Sequence, residues 1–163
     1  MIELPTPDIT RAGISPMVFR RVVVNIAVAN LQRSIRFYEE IGFSFNRQLA
    51  DASATCMLVG SDVFFMLLST ERFLQSSKRP LEDTRRTTSA FYAIGVESQQ
   101  AVRTTVARAL ACGAGPAGDP LDHGYMYTWR FYDPDDHLFE VFWIDPAPFL
   151  TKSKLAPVHQ RKL

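Results

Sequence analysis

The 163-residue chain has few of the residues that build redox, disulfide or metal sites, since it contains two cysteines and three histidines. Cys56 and Cys112 fit no CxxC spacing, and each lies in an apolar stretch. We therefore expect two buried thiols without a disulfide, as in a reducing cytoplasm. His137 falls in a turn and His159 near the end of the chain, and neither position indicates a chemical role.

The sequence also lacks an excess of one charge, because 18 Lys and Arg face 17 Asp and Glu, for a net charge of +1. This balance predicts no attraction to nucleic acid or to an anionic membrane surface. The first twenty residues contain three prolines and no long apolar run, so they resemble neither a signal peptide nor a membrane span. We expect a cytoplasmic protein whose partners are small molecules or proteins.

The chain does contain enough hydrophobic residues, 47%, to bury one core of ordinary size. Its two ends are poorer in residues that would pack, and the C-terminal end is rich in Lys and Arg. We predict an N-terminal arm at 1–19, a single domain at 20–146 and a C-terminal tail at 147–163.

The first half of the predicted domain follows the order βαβββ. A β-branched strand at 22–28 precedes a helix that begins after the N-cap Asn30 and ends at Gly42. Extended stretches follow at 43–49, 54–59 and 63–68. The polar segment 70–88 is expected to be an exposed connector or lid.

The same order then begins again after the connector. A strand at 90–96 leads to a helix capped by Ser98, and two aromatic strands follow at 125–132 and 138–144. Such an internal repeat of about 65 residues predicts a duplicated unit. We expect two modules, at about 20–70 and 88–146.

Two motifs resemble those that open and close a vicinal-oxygen-chelate domain. Residues 28–43, VANLQRSIRFYEEIGF, are similar to the opening strand and helix. Residues 131–141, FYDPDDHLFEV, resemble the closing hairpin, in which an Asp-Pro-Asp-Gly turn precedes a strand with a Glu ligand. Asp136 replaces the usual Gly and must take the left-handed backbone. Asn25 and the segment HGYMY at 123–127 are most similar to glyoxalase-like proteins of uncertain function.

This resemblance implies an α+β fold of paired βαβββ modules, which form a curved mixed sheet around a pocket, as in the glyoxalase/bleomycin resistance/dioxygenase fold. The helices would pack on the convex face and the ligand would bind on the concave face. Alternation along the strands then predicts which side chains face the pocket. These are Val23, Asn25 and Ala27 on the first strand, and Met126, Thr128, Arg130, Leu138, Glu140 and Phe142 on the last two.

Metal-dependent members of this family use one ligand from each of four strands. By motif position these ligands fall on Val23, on Met66 or Leu67, on Phe91 and on Glu140. Only Glu140 can donate an oxygen to a metal ion. We therefore expect no metal site and no cofactor.

Glu140 and His123 are the candidate catalytic residues, each as a general acid or base. Glu140 also has the alternative of pairing with Arg130, either to orient a ligand or as an ordinary cross-strand ion pair. His123 has the alternative of an ordinary loop histidine. The residues expected to bind a ligand are Asn25, Met126, Thr128, Arg130, Phe91 and Phe142.

Three functions stay open from the sequence. A metal-independent protein similar to the bleomycin-resistance members would bind a small molecule without converting it. A relative of lactoylglutathione lyase or of the extradiol dioxygenases would be an enzyme with a rearranged or absent metal site. A structural or regulatory dimer would keep only a vestigial pocket. The resemblance implies a homodimer, because the family usually pairs its modules about a two-fold axis.

Overall fold

A computed structural model describes residues 21–147 of the chain. The predicted arm at 1–19, and all but the first residue of the predicted tail, lie outside the described residues. The first module consists of β1 (Val22–Val28), α1 (Leu31–Glu40), β2 (Ser44–Asn46), a 3-10 turn (Arg47–Leu49), β3 (Ala54–Leu58), β4 (Val63–Ser69) and α2 (Thr70–Ser76). The second consists of β5 (Phe91–Gly95), α3 (Gln99–Ala111), β6 (Gly115–Pro116), β7 (Leu121–Asp122), β8 (Met126–Tyr132) and β9 (Leu138–Ile144).

Both modules have the same strand order. The first sheet runs β1-β4-β3-β2, with β1 parallel to β4. The second runs β5-β9-β8-β6, with β5 parallel to β9, and β7 pairs with β8. The predicted α+β fold of duplicated βαβββ modules is therefore confirmed. Among the described residues the modules form two separate mixed sheets, because no strand of one pairs with a strand of the other.

The two long helices begin where their capping residues predict. The Asn30 side chain accepts a hydrogen bond from the Arg33 backbone N–H at 3.0 Å, and the Ser98 hydroxyl accepts one from Ala101 at 3.0 Å. Each such cap contributes on the order of 1 kcal/mol to the helix. Helix α1 ends before Gly42, whose φ of +110° suits glycine. No helix in 21–147 is long and apolar enough to cross a membrane.

Three local predictions need correction. The segment predicted as a bare connector includes α2, which the Ser69 hydroxyl caps. The stretch predicted as a strand at 43–49 turns into a 3-10 helix, because the Asn46 side chain accepts a hydrogen bond from the Gln48 backbone. Cys112 is exposed rather than buried, since it caps the C-terminal end of α3 beyond the buried face of that helix, whereas Cys56 is buried as expected.

Aromatic side chains form the core between the two modules. The ring of Tyr38 on α1 lies 5.7 Å from that of Phe139 on β9, and the Phe65 ring on β4 lies 5.1 Å from that of Tyr92 on β5. Phe131 and Phe139 stack at 5.6 Å between centroids. These rings bury a large apolar area, so the hydrophobic effect holds the modules together.

The turn that joins β8 to β9 also attaches to α1 through polar contacts. Asp135 accepts hydrogen bonds from the Ala29 backbone and the Ser34 hydroxyl, both at 2.9 Å, and pairs with Arg33. A carboxylate at the first turn of a helix is favoured by the unpaired N–H groups there. The turn is possible because Asp136 takes the left-handed backbone, with φ of 61°, as the sequence predicts.

Asp133 is buried at the centre of this attachment. Its Oδ2 accepts a hydrogen bond from the Tyr38 hydroxyl at 2.6 Å and lies 3.1 Å from His137 Nδ1. Its Oδ1 accepts hydrogen bonds from the backbones of Asp135 and His137 at 2.9 and 2.8 Å. A buried carboxylate is costly unless it is paired and hydrogen-bonded, and these four contacts satisfy Asp133.

The protonation of His137 makes the stability of this turn depend on pH. Burial lowers the pKa of His137, but the hydrogen bond and charge of Asp133, with the charges of Asp135 and Asp136, raise it overall above its ordinary 6.5. The resulting stabilisation is complete below the pKa of the unfolded chain and is lost as pH rises through the folded value. We therefore expect the free energy of unfolding to decrease as pH rises above about 6.5.

Urea unfolding between roughly pH 5.5 and 8.5 measures this dependence. The substitution His137→Gln should flatten it, and His123→Gln, at an exposed histidine outside the turn, is the matched control. An equal slope in wild type and His137→Gln would contradict the assignment.

Candidate functional site

The strand registers place most of the candidate ligand-binding residues on one face of the second sheet. Arg130 lies opposite Glu140, and Thr128 lies opposite Phe142. Residues directly opposite each other share a face, and the alternate residues of those strands enter the core. We call this the outer face of the second sheet, and it carries Phe91, Ala93 and Gly95 on β5, Leu138, Glu140, Phe142 and Ile144 on β9, and Met126, Thr128, Arg130 and Tyr132 on β8.

Arg130 and Glu140 form an ion pair on the outer face. Arg130 Nε donates a hydrogen bond to Glu140 Oε2 at 2.6 Å, and Nη2 lies 2.6 Å from the same oxygen. The Glu140 side chain is 12% exposed and that of Arg130 is 41% exposed. Because a guanidinium has five N–H donors, three are not paired with another residue in 21–147, and two of these lie on the edge formed by Nη1 and Nη2.

The surroundings of this ion pair are mainly apolar. Phe91 is 55% exposed at one end of the face. The Phe142 ring lies over Gly95, where an added Cβ would come within 3.1 Å of Phe142 Cζ. Thr128, opposite Phe142, is buried. The outer face thus combines one fixed cation with an apolar surface, the combination typical of a small-molecule site.

The positions that hold a metal in the related family lie on the outer faces of the two sheets. Val23 is 50% exposed and pairs with Phe64, and Met66 shares its face with Asn25. Leu67 is buried in the core, so Met66 is the residue at the second position. Val, Met and Phe side chains there offer no oxygen or nitrogen donor. Within 21–147 no group of three or more His, Cys, Asp and Glu side chains could hold a metal ion.

The structure does not bring the two candidate catalytic residues together. His123 is exposed in the turn before β8, where its backbone N–H donates to the Met126 carbonyl at 2.8 Å. Glu140 lies opposite Arg130, which is four residues beyond Met126 on β8. At the rise of a strand, Met126 and Arg130 are therefore about 13 Å apart. The side chain of His123 makes no hydrogen bond or ion pair with another residue in 21–147.

Two cavities lie elsewhere, and neither includes Arg130 or Glu140. One, of about 260 Å³, has a mainly apolar lining that includes Phe43, Ile94 and Phe131. The other, of about 350 Å³, is lined by Asn25 and His137 among others. Asn25 therefore borders this second cavity and does not lie on the outer face of the second sheet.

The contact of His137 with a buried carboxylate was not predicted, because its position in a turn indicates no chemical role. The structure pairs His137 with the buried Asp133. The available signal was the four-residue spacing of Asp133 and His137 across a tight turn. That spacing lets one carboxylate accept a hydrogen bond from the backbone and approach the ring of the same residue.

Comparisons with known proteins agree with this architecture. No protein-family model matches the sequence, and no curated protein matches it. Hypothetical protein SA1046 from S. aureus matches with a TM-score of 0.68 and 22% identity, over 78% of this chain and 95% of that one. A glyoxalase-related enzyme from Fulvimarina pelagi matches with a TM-score of 0.67 and 16% identity, over 77% and 88%. A glyoxalase/bleomycin resistance protein/dioxygenase family enzyme from Burkholderia phytofirmans PsJN gives 0.63 and 19%, over 75% and 96%.

The chain therefore has the glyoxalase/bleomycin resistance/dioxygenase fold, a vicinal-oxygen-chelate-like fold, as the two sequence motifs predict. At these identities the likeness concerns the fold, and fold does not determine the ligand or the reaction. The ligand and the reaction depend instead on the side chains that this chain presents on its faces and in its cavities.

The metal content of the purified protein is a direct prediction from the site. Because three of the four family ligand positions carry Val23, Met66 and Phe91, we expect well below one equivalent of Zn, Ni, Fe or Mn per chain. Elemental analysis by mass spectrometry measures it. About one ion per chain, lost in Glu140→Ala, would show that the chain binds a metal through Glu140 after all.

Proposed function

We propose that the protein is a metal-independent small-molecule-binding protein, and that its ligand has an apolar body and one anionic group. The observation that carries this proposal is the Arg130 guanidinium, which Glu140 holds on a mainly apolar face and whose Nη1–Nη2 edge pairs with no residue in 21–147.

The geometry of the ion pair supports an anion as the bound group. Glu140 engages the Nε and Nη2 edge of the guanidinium through one oxygen. The edge formed by Nη1 and Nη2 is left to face a ligand, and it matches the two oxygens of a carboxylate. Glu140 also fixes the orientation of Arg130, which reduces the side-chain entropy lost on binding. The apolar body of the ligand would then lie on Phe91 and Phe142.

A second copy of the chain would complete the site. The outer faces of both sheets expose large hydrophobic side chains, with Val23 at 50% and Phe91 at 55% exposure. Such apolar exposure around a functional group commonly marks an interface. We propose a homodimer in which these faces are covered, so that the ligand binds between the sheet and the second copy.

The proposed recognition of an anionic group on the ligand can be tested with aromatic carboxylates. We expect benzoate and 1-naphthoate to bind saturably, and Arg130→Ala to weaken their binding by about 1.5–3 kcal/mol, the scale of a charge-assisted hydrogen bond. Isothermal titration calorimetry measures this change. Arg36→Ala is the matched control, because Arg36 is exposed on α1 and should not affect binding.

The ordinary alternative is that Arg130 only balances the charge of Glu140. In that case no carboxylate binds through Arg130, while Arg130→Ala destabilises the fold and adding Glu140→Gln restores part of the loss. Equal affinity of wild type and Arg130→Ala for both carboxylates would overturn the proposal.

The second prediction concerns the assembly. Light scattering at micromolar concentration should give twice the chain mass of 18.4 kDa. Val23→Asp and Phe91→Asp should each shift the protein towards the single chain, because a buried, unpaired carboxylate opposes association. Leu74→Asp, at an exposed hydrophobic residue on α2, is the control. A wild-type mass of 18.4 kDa would contradict the dimer.

A further inference from the structure

The cavity of about 350 Å³ lies in the crevice between the two modules, away from Arg130. Residues of β1, α2, the connector at 80–89, β5 and the turn between β8 and β9 all contribute to it. We call it the connector cleft, and the residues that define it are Asn25, Phe73, Leu81, Ser89, Tyr92 and His137. Its volume is within the range of small-molecule sites, roughly 300–1,000 Å³.

Three polar groups of the connector cleft form no hydrogen bond within the described part of the chain. The Asn25 amide and the Tyr92 hydroxyl make no hydrogen bond with another residue in 21–147. His137 uses Nδ1 for its contact with Asp133, which leaves Nε2 as its free ring nitrogen. These three groups belong to three separate segments of the chain, and they border the same cavity. Polar groups that converge in a cavity provide hydrogen bonds to a ligand.

The Asp133 carboxylate fixes the orientation of the His137 ring, as a carboxylate does for the histidine in many active sites. This carboxylate is fully buried, and it contacts both the backbone and the ring of His137. The His137 side chain is 11% exposed, so its orientation is set by the protein. A hydroxyl group of a ligand can pair with Nε2 in either protonation state of the ring, because a hydroxyl both donates and accepts.

The charges around the connector cleft do not favour an anionic ligand. The lining includes the carboxylates of Glu82 and Asp135 and contains no Lys or Arg. Arg33 forms an ion pair with Asp135, so its charge is already balanced by a residue of the lining. The apolar part of the lining includes Ile26, Phe73 and Leu81. The cleft therefore suits a different class of compound from the outer face of the second sheet.

We infer that the connector cleft is a second small-molecule site, which binds a neutral compound with an apolar ring and a hydroxyl group. The hydroxyl pairs with His137 Nε2, the Asn25 amide and the Tyr92 hydroxyl hold polar substituents, and the ring lies against Phe73 and Leu81. This site is independent of the anion-binding site proposed at Arg130.

The test uses 4-methylphenol as the probe, with the full chain labelled with ¹⁵N and observed by NMR. Titration should shift the ring nitrogens of His137 and the side-chain amide of Asn25 saturably. Ser89→Phe should fill the mouth of the cleft and weaken the binding at least tenfold. Ser61→Phe, at an exposed serine in the turn before β4, is the matched control and should bind as the wild type does.

Three further measurements separate this site from the other one. The probe 4-methylanisole, which lacks the O–H group, should bind at least fivefold more weakly than 4-methylphenol. Benzoate should not shift His137 or Asn25, and Arg130→Ala should leave 4-methylphenol binding unchanged. The inference is overturned if 4-methylphenol gives no saturable shift of His137, if Ser89→Phe binds it as tightly as the wild type, or if its binding is lost in Arg130→Ala.

Discussion

The buried carboxylate of Asp133 sets how the two modules meet at α1, while the aromatic core between them supplies the hydrophobic energy that holds them together. It accepts a hydrogen bond from Tyr38 on α1, and it also holds the turn between β8 and β9 through His137. Without these donors a charge in that place would be strongly unfavourable. The carboxylate thus fixes α1 of the first module relative to β8 and β9 of the second. Arg130 and Glu140 lie on those two strands, and His137 of the turn also lines the connector cleft.

The same fold that holds a metal in related proteins here presents a different surface. With Val23, Met66 and Phe91 at the family positions, Glu140 has no other metal ligands beside it, and it pairs with Arg130 instead. The carboxylate that would serve as a ligand becomes the group that orients a cation. At the position of a family metal ligand, the outer face thus carries one member of an ion pair, while the sheets keep their order.

Local signals predict most of the elements, and distant contacts explain what they miss. Asn30 and Ser98 cap their helices within three residues, so both helix starts could be read from the sequence. Period-two alternation likewise places Arg130 on the same face as Glu140, because a strand has fixed geometry. By contrast, Tyr38 and Asp133 are 95 residues apart in the chain. The sequence offers no measure of such a contact, so the connector cleft could not be predicted. The contact of His137 with Asp133 is different, because their four-residue spacing is a local signal.

The central claim is that Arg130, oriented by Glu140, binds the anionic group of an apolar ligand without a metal. A crystal structure of the protein with 1-naphthoate tests it most directly. The account predicts both carboxylate oxygens within about 3 Å of Nη1 and Nη2 of Arg130, with the rings on Phe91 and Phe142. A carboxylate bound elsewhere, or an Arg130 side chain turned away from the outer face into solvent, would contradict it.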